Sequence, residues 1–511
     1  MPKRPNIVVI MADQLAPHFC GAYGHRTAKT PHLDALASKG MRFDAAYCNS
    51  PLCAPSRFSF MSGQHISRIA AYDNASEFRA SVPTFAHYLK ALGYRTCLSG
   101  KMHFVGPDQK HGFEDRVTTD VYPSDFAWTP DWEAHDERID KWYHNMQTVK
   151  ESGVAQATYQ IDYDEEVGFA ARRWLMDVGR SRTTGDDSPF AMVASFIHPH
   201  DPYVARPEWW DLYSDDYIDL PEFELTPDQQ DPFSRRVMDG IEASYVPLTK
   251  EEIRNARHGY LANVSYFDSK IGLLVKTLEE IGELDNTIVI VTADHGDMLG
   301  ERGLWYKMNF FEHSARVPLV ITGPGVAKGV ASNACSLVDL LPTFIEIAGG
   351  DDAVLGEPVD GRSLMPLARG EDDPVDEAIG EYCAEMTPWP VFMIRRGALK
   401  YIHCDPDPPQ LYDLSNDPQE KVNLAGDPEY SEVSQGFAAE VAARWDSEKL
   451  RDNVIATQKS RRALHAAMDA GAGEDWDYNP PSDASQQYVR NHMDWTVADK
   501  FYRFPPVKND G

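Results

Sequence analysis

The sequence predicts an α/β protein. Its core is a large mixed, mostly parallel sheet sandwiched by helices, followed by a smaller C-terminal α+β domain and an extended C-terminal tail. Two observations lead there. Four segments are short apolar runs rich in β-branched residues, each closed by a polar cluster, with helix-like stretches between them. After about residue 380 hairpin patterns replace that alternation. Continuous apolar runs bounded in this way read as buried parallel strands. Strand alternating with helix implies a sheet covered on both faces.

Asn6-Ile-Val-Val-Ile-Met-Ala12 is the first such run and is followed by Asp13 and Gln14. A helical pattern over 84–92 leads to Tyr94-Arg-Thr-Cys-Leu-Ser99, closed by Gly100, Lys101 and His103. Phe190-Ala-Met-Val-Ala-Ser-Phe-Ile197 is closed by His198, Pro199, His200 and Asp201. A second helical pattern over 263–281 leads to Thr287-Ile-Val-Ile-Val-Thr-Ala293, closed by Asp294, His295, Gly296 and Asp297. Ligands of parallel sheets bind outside the carboxyl ends of the strands, so these clusters are expected to converge on one rim. Farther on, residues 391–403 read as a hairpin turning near Arg396-Gly397, 410–418 as a strand and turn, and 431–448 as a helix. The expected division is a catalytic α/β domain over 1–380, an α+β domain over 381–450, and a helix and tail over 451–511. That tail is rich in Trp, Tyr, Asp and Pro, and is expected to pack on its own body or on a neighbouring subunit.

The 511 residues, 42% of them apolar, can build a sizeable core. No apolar run approaches the roughly 18 residues of a membrane span. The stretch 7–12 is too short for a signal segment and meets Asp13 at once, so a cytoplasmic protein with no membrane partner is expected. Seven cysteines, scattered and without a CxxC pair, read as reduced thiols. A net charge of −30 repels nucleic acid and anionic membranes. It repels anionic substrates too, so a site for sulfate or phosphate needs local cations, whereas a cationic or zwitterionic substrate meets less resistance.

The most informative stretch is Pro51-Leu-Cys53-Ala-Pro55-Ser-Arg57-Phe-Ser-Phe-Met-Ser-Gly63. Pro55 suits the first turn of a helix, which puts Cys53 just before that helix, near free backbone N–H groups that favour anions. Arg57, one turn in, adds a cation with fork geometry. This segment resembles the sulfatase signature, in which the cysteine is oxidised to formylglycine. The segments at 6–14 and 292–297 are similar to that family's metal-binding segments and occur in its order, so an alkaline-phosphatase-like fold is implied.

The resemblance implies one divalent metal ion held by Asp13, Asp294, His295 and an oxygen of residue 53. Hard oxygen donors suit Ca²⁺, the first expectation, with Mg²⁺ or Mn²⁺ as alternatives; the imidazole tilts toward Mn²⁺. Arg57, Lys101, His103, His200 and Lys307 match the positions that hold the ester and move protons. In the implied reaction residue 53 attacks sulfur, His200 or Lys307 protonates the leaving alcohol, and His103 helps release sulfate. His198 is expected to be structural. Maturation implies a formylglycine-generating enzyme as partner.

Several stretches resemble choline-sulfatases in particular: 71–74, 126–131, 142–145, 200–205, 382–385 and 488–493. A trimethylammonium group needs aromatic faces and a carboxylate. Trp128 and Glu385 are the candidates, with Asn74, His144 and Asn145 nearby. In those enzymes a neighbouring subunit's tail helps close the pocket, which implies a homo-oligomer, a dimer or tetramer. The expected reaction is hydrolysis of a small sulfate monoester, choline sulfate first. An arylsulfatase, a phosphonate or phosphodiester hydrolase on the same scaffold, and a non-catalytic binder of quaternary ammonium compounds are the alternatives.

Overall fold

The computed structural model describes residues 4–134, 144–470, 473 and 476–506; Trp142 and Tyr143 of the 142–145 stretch lie outside them. Among the described residues the main sheet has eight strands. Its centre is four parallel strands side by side: Arg95–Gly100, Phe190–Pro199, Asn6–Asp13 and Thr287–Ala293. These are the four apolar runs read from the sequence. All eight residues of Asn6–Asp13 are buried, as fits a strand covered on both faces. Leu319–Thr322 runs antiparallel between Thr287–Ala293 and Met41–Phe43, which makes the sheet mixed.

The long helices Tyr159–Thr183 and Lys250–Glu280 pack on this sheet through the Phe190–Pro199 strand. The second helical pattern was expected to begin at 263; the helix starts at Lys250, where Thr249 and Glu252 form a reciprocal capping box. Polar residues across its first turns hide the apolar period there.

Past residue 376 a four-stranded antiparallel sheet is ordered Glu377–Tyr382, Val391–Arg396, Leu399–Cys404, Gln410–Asp413. The expected hairpin turns at Gly397, whose φ of +57 is the left-handed conformation that favours glycine. The helix read over 431–448 is two: Ser431–Arg444 ends before an extended Trp445, and Ser447–Met468 restarts with Asp446 as its cap. Trp445 leaves the helical path to stack on Phe392, centroids 4.4 Å apart, and to donate its indole N–H to Glu381 at 2.6 Å. No described helix is long and apolar enough to cross a membrane.

Candidate active site and metal centre

The polar clusters that close the four central strands do meet at one rim. Asp13 ends its strand. Lys101 follows Gly100, where a Cβ would lie 1.9 Å from the Ser195 carbonyl oxygen, so only glycine permits that approach. His198 and His200 close the next strand, and Asp294 and His295 follow Ala293.

Cys53 is the first residue of the helix Cys53–Ser62, not the residue before it; Leu52 is the cap, in extended conformation. The Leu52 side chain has no oxygen to offer the free N–H groups. Asn74 supplies one instead, its Oδ1 accepting from the Ala54 N–H at 3.0 Å. Ser56 ties the first turn to the acidic motif, its hydroxyl donating to the Asp294 carbonyl at 2.6 Å. Gly63 ends the helix at φ +66.

Arg57 organises the floor. Its Nε donates to Asp294 Oδ2 at 2.8 Å, one terminal nitrogen to Asp13 Oδ2 at 3.0 Å, and the other to the Lys101 carbonyl at 2.7 Å and Ser195 Oγ at 2.8 Å. Lys101 Nζ bonds the same Asp13 oxygen. Burial alone would push the Asp13 carboxyl up, but Lys101, His200, Arg57 and His295 together hold it well below the usual range. Asp13 thus keeps Oδ1 facing inward, 3.9 Å from Cys53 Sγ and 4.0 Å from His295 Nε2. His295 Nδ1 lies 3.0 Å from the Gly296 carbonyl, which leaves Nε2 aimed at Cys53 Sγ, 3.3 Å away. Burial pushes its pKa down, toward the neutral ring a metal requires.

One donor atom from each of Asp13, Cys53, Asp294 and His295 lies within 4.8 Å of the others, all four buried. Ligands about 2.3 Å from a cation at right angles lie roughly 3.3 Å apart, so this spacing fits one divalent ion. Sulfur is a poor donor to a hard cation; an oxygen at residue 53 would complete the set.

Beside this floor, Lys307 Nζ donates to Gln14 Oε1 at 2.5 Å and lies 3.0 Å from His200 Nε2. Gln14 Nε2 in turn donates to Asp297 at 2.6 Å and Asp201 at 3.1 Å. Burial, then Lys307, pushes the His200 ring well below its usual pKa. Burial likewise lowers His103, against a hydrogen bond of its ring with the Cys53 thiol. His103 sits at φ +59, and Asp120 Oδ2 accepts both the His103 N–H at 2.9 Å and the Met102 N–H at 3.0 Å. His198 pairs with Asp164 at 2.7 Å, away from the floor.

A cavity of about 170 Å³ opens on Cys53; its walls include Asn74, Tyr122, Trp128, His144, Tyr159, His200, Asp201 and Lys307. Trp128, Tyr122 and His103 meet edge to face or tilted at 5.1 to 5.8 Å, and the His144 ring stacks on Tyr306 at 4.6 Å. Two expected substrate residues are not among the described residues that line this cavity. Asn145 caps the helix Met146–Lys150, accepting from the Gln147 N–H at 2.9 Å. Glu385 is buried, and neither it nor Asn145 is among the described walls of this cavity. Sequence reasoning did not single out Tyr122, Thr148, Tyr159 or Asp201. Asp201 lies inside the 198–201 cluster and could have been named; the two tyrosines come from segments with no motif. Burial pushes the Asp201 carboxyl up to about 6, against the pull of Lys307.

Comparison with known proteins adds three family matches. Residues 5–350 match the sulfatase model, 300–446 the C-terminal model of N-sulphoglucosamine sulphohydrolase, and 452–504 the choline sulfatase C-terminal model. The choline-sulfatase of Rhizobium meliloti is 46% identical over 507 residues, covering 98% of this chain and 99% of that protein. Human arylsulfatase K is 28% identical, covering 83% of this chain and 79% of its own. Among solved structures, the phosphonate monoester hydrolase of Agrobacterium radiobacter shares the fold at a TM-score of 0.67 and 24% identity, over 88% of this chain and 96% of that one.

Proposed function

We propose, from the premise that this chain belongs to the sulfatase family and to its choline-sulfatase branch, that it hydrolyses choline sulfate to choline and sulfate. The observation that carries the reading is the two-sided cavity on Cys53: cations and a metal-type donor set at the floor, aromatic rings and a carboxylate on the wall. A sulfate group fits the first side and a trimethylammonium group the second.

Asp13, Asp294, His295 and residue 53 are the residues that would hold the metal, which when bound supplies positive charge against the sulfate oxygens and lowers the pKa of a coordinated hydroxyl. Oxidation of Cys53 to formylglycine, followed by hydration, supplies an oxygen nucleophile at the helix N-terminus. The chain's own groups do the rest. Arg57 fixes both carboxylates at once. Lys101 and Lys307 flank the sulfate and oppose its charge. The paired Lys307 and His200 hold a proton where the leaving alcohol oxygen departs. His103, whose ring faces residue 53, takes the proton from that residue when sulfate leaves. Trp128, with Tyr122 and Tyr159, faces the quaternary ammonium, and Asn74 joins cavity wall to helix.

The same proposal includes Ca²⁺ as the ion, tested against Mn²⁺ and Mg²⁺, and a formylglycine-generating enzyme for maturation. It includes a cytoplasmic site of action, supported by seven free cysteines, and a homo-oligomer. It also includes a division of the chain near residues 380 and 450, supported by the separate antiparallel sheet. The test is sulfate release from choline sulfate, p-nitrophenyl sulfate and a phosphodiester, with enzyme whose residue-53 aldehyde is verified by mass spectrometry. A higher kcat/KM for choline sulfate is expected. Preference for the phosphodiester, or turnover of the aryl ester alone, would overturn the substrate assignment.

A further inference from the structure

The helix Ser447–Met468 and residues 476–478 contact the chain around the cavity wall from outside. From Ser447–Met468, Arg461 makes a two-pronged ion pair with Asp73, both contacts at 2.6 Å and both side chains buried. The next residue, Asn74, lines the cavity and holds the Ala54 N–H beside Cys53. Gln458 Oε1 accepts the Trp132 N–H at 2.9 Å, and Arg462 pairs with Asp131.

Farther along, Asp477 Oδ1 accepts from both the N–H and the hydroxyl of Ser124, at 3.1 and 2.8 Å. Trp476 packs edge-on to Phe126 at 5.3 Å. Arg116 lies over the Tyr478 ring at 4.8 Å and reaches Asp120 at 3.1 Å; Asp120 in turn holds the backbone N–H of His103. These contacts bracket residues 116–132, the segment that carries Tyr122 and Trp128 yet contains no strand beyond Asp115–Arg116 and no α-helix. A segment without its own ladder keeps one shape only when outside partners supply its hydrogen bonds.

We infer that Arg461 and Asp477 are positioning residues: the C-terminal segment is a brace, acting within one chain, that sets the substrate wall of the cavity without touching the sulfate floor. Among the described residues, none of the side-chain partners of Arg57 or Lys307 comes from this segment. The brace therefore governs how the organic part of the ester is seated, and the inference rests on the reading that this cavity takes the ester.

The test compares Asp477→Ala, Asp477→Asn and Arg461→Met with the parent in the mature enzyme. It uses choline sulfate, or p-nitrophenyl sulfate if that is the ester turned over, and measures inhibition by inorganic sulfate. A slightly misplaced wall costs up to about a hundredfold. Asp477→Ala should lower kcat/KM at least about tenfold while the Ki for sulfate stays within about twofold, and Asp477→Asn, which keeps an acceptor oxygen, should recover most of the loss. Hydrogen exchange of 116–132, the Ser124 amide above all, should quicken in Asp477→Ala. Equal losses in ester and sulfate binding, or unchanged exchange and kinetics, would overturn the brace. Should Arg461→Met not fold, the double variant Arg461→Met/Asp73→Asn removes both charges, and the Asp477 pair decides in any case. A parent enzyme that turns over neither ester sinks the proposed function alone, because the exchange measurement still judges the brace.

Discussion

Replacing Arg57 by methionine removes the guanidinium that spans the two acids of the floor. Asp13 keeps Lys101, whereas Asp294 keeps the backbone N–H groups of Gln14 and His295 and, 3.7 Å from Oδ2, the His295 ring. Both carboxylates are wholly buried. Breaking a buried ion pair from one side costs about 3–5 kcal/mol, because it leaves a charge without compensation. That is a large share of the roughly 5–15 kcal/mol that holds a domain folded. Arg57→Met should therefore lower the unfolding free energy by about 3–5 kcal/mol in metal-free protein. A saturating divalent cation should restore part of the loss, since it faces the same carboxylates. The assay is urea unfolding at 25 °C, followed together by tryptophan fluorescence and near-UV circular dichroism, with chelator and with each of Ca²⁺, Mn²⁺ and Mg²⁺. A loss below about 1 kcal/mol, or one indifferent to the cation, would refute the view that Arg57 compensates these acids.

Three further outcomes are expected. Chelation should abolish turnover and lower the melting temperature together, and re-addition of the native cation should restore both; a melting temperature unmoved by chelation and metal would count against the four-donor site. Lys307→Ala should lower kcat about 10²–10⁴-fold for an alkyl sulfate and markedly less for p-nitrophenyl sulfate, whose phenolate leaves without a proton; equal losses would remove Lys307 from leaving-group protonation. His111, packed on Phe78 and Phe104 at 4.4 and 4.5 Å, is pushed down to about 4 by burial, against Asp108 and with His87 and Arg116 adding to the shift. With an unfolded value near 6.5, its contribution is complete above about pH 6.5 and is lost as pH falls through about 4. His111→Phe should flatten the stability profile in that window, by at most about 1.4 kcal/mol per pH unit; an unchanged slope would show that His111 does not titrate there.

The sequence by itself determined the central sheet, because Asn6–Asp13 and its three parallel neighbours are apolar on both faces and little else in the chain is. It also determined the floor. Asp13, Lys101, His200, Asp294 and His295 lie at or just beyond strand ends, and Cys53 and Arg57 on a helix start that a local motif marks. Strand ends converge by topology alone, so these could be read together from a line of text; Lys307, in the long loop after Ala293, joined them through the family resemblance. The tertiary structure decided the wall. Tyr122 comes from a segment with no α-helix, and Tyr159 from the first turn of the helix Tyr159–Thr183, whose period marks a helix and not a site; Asn145 turned to cap a helix, and Glu385 is not among the described walls. The physical reason is the range of the forces involved. Strand and cap preferences act over a few residues and leave a local imprint, whereas the segment 116–132 meets Arg461, Asp477 and Tyr478 from more than 300 positions away.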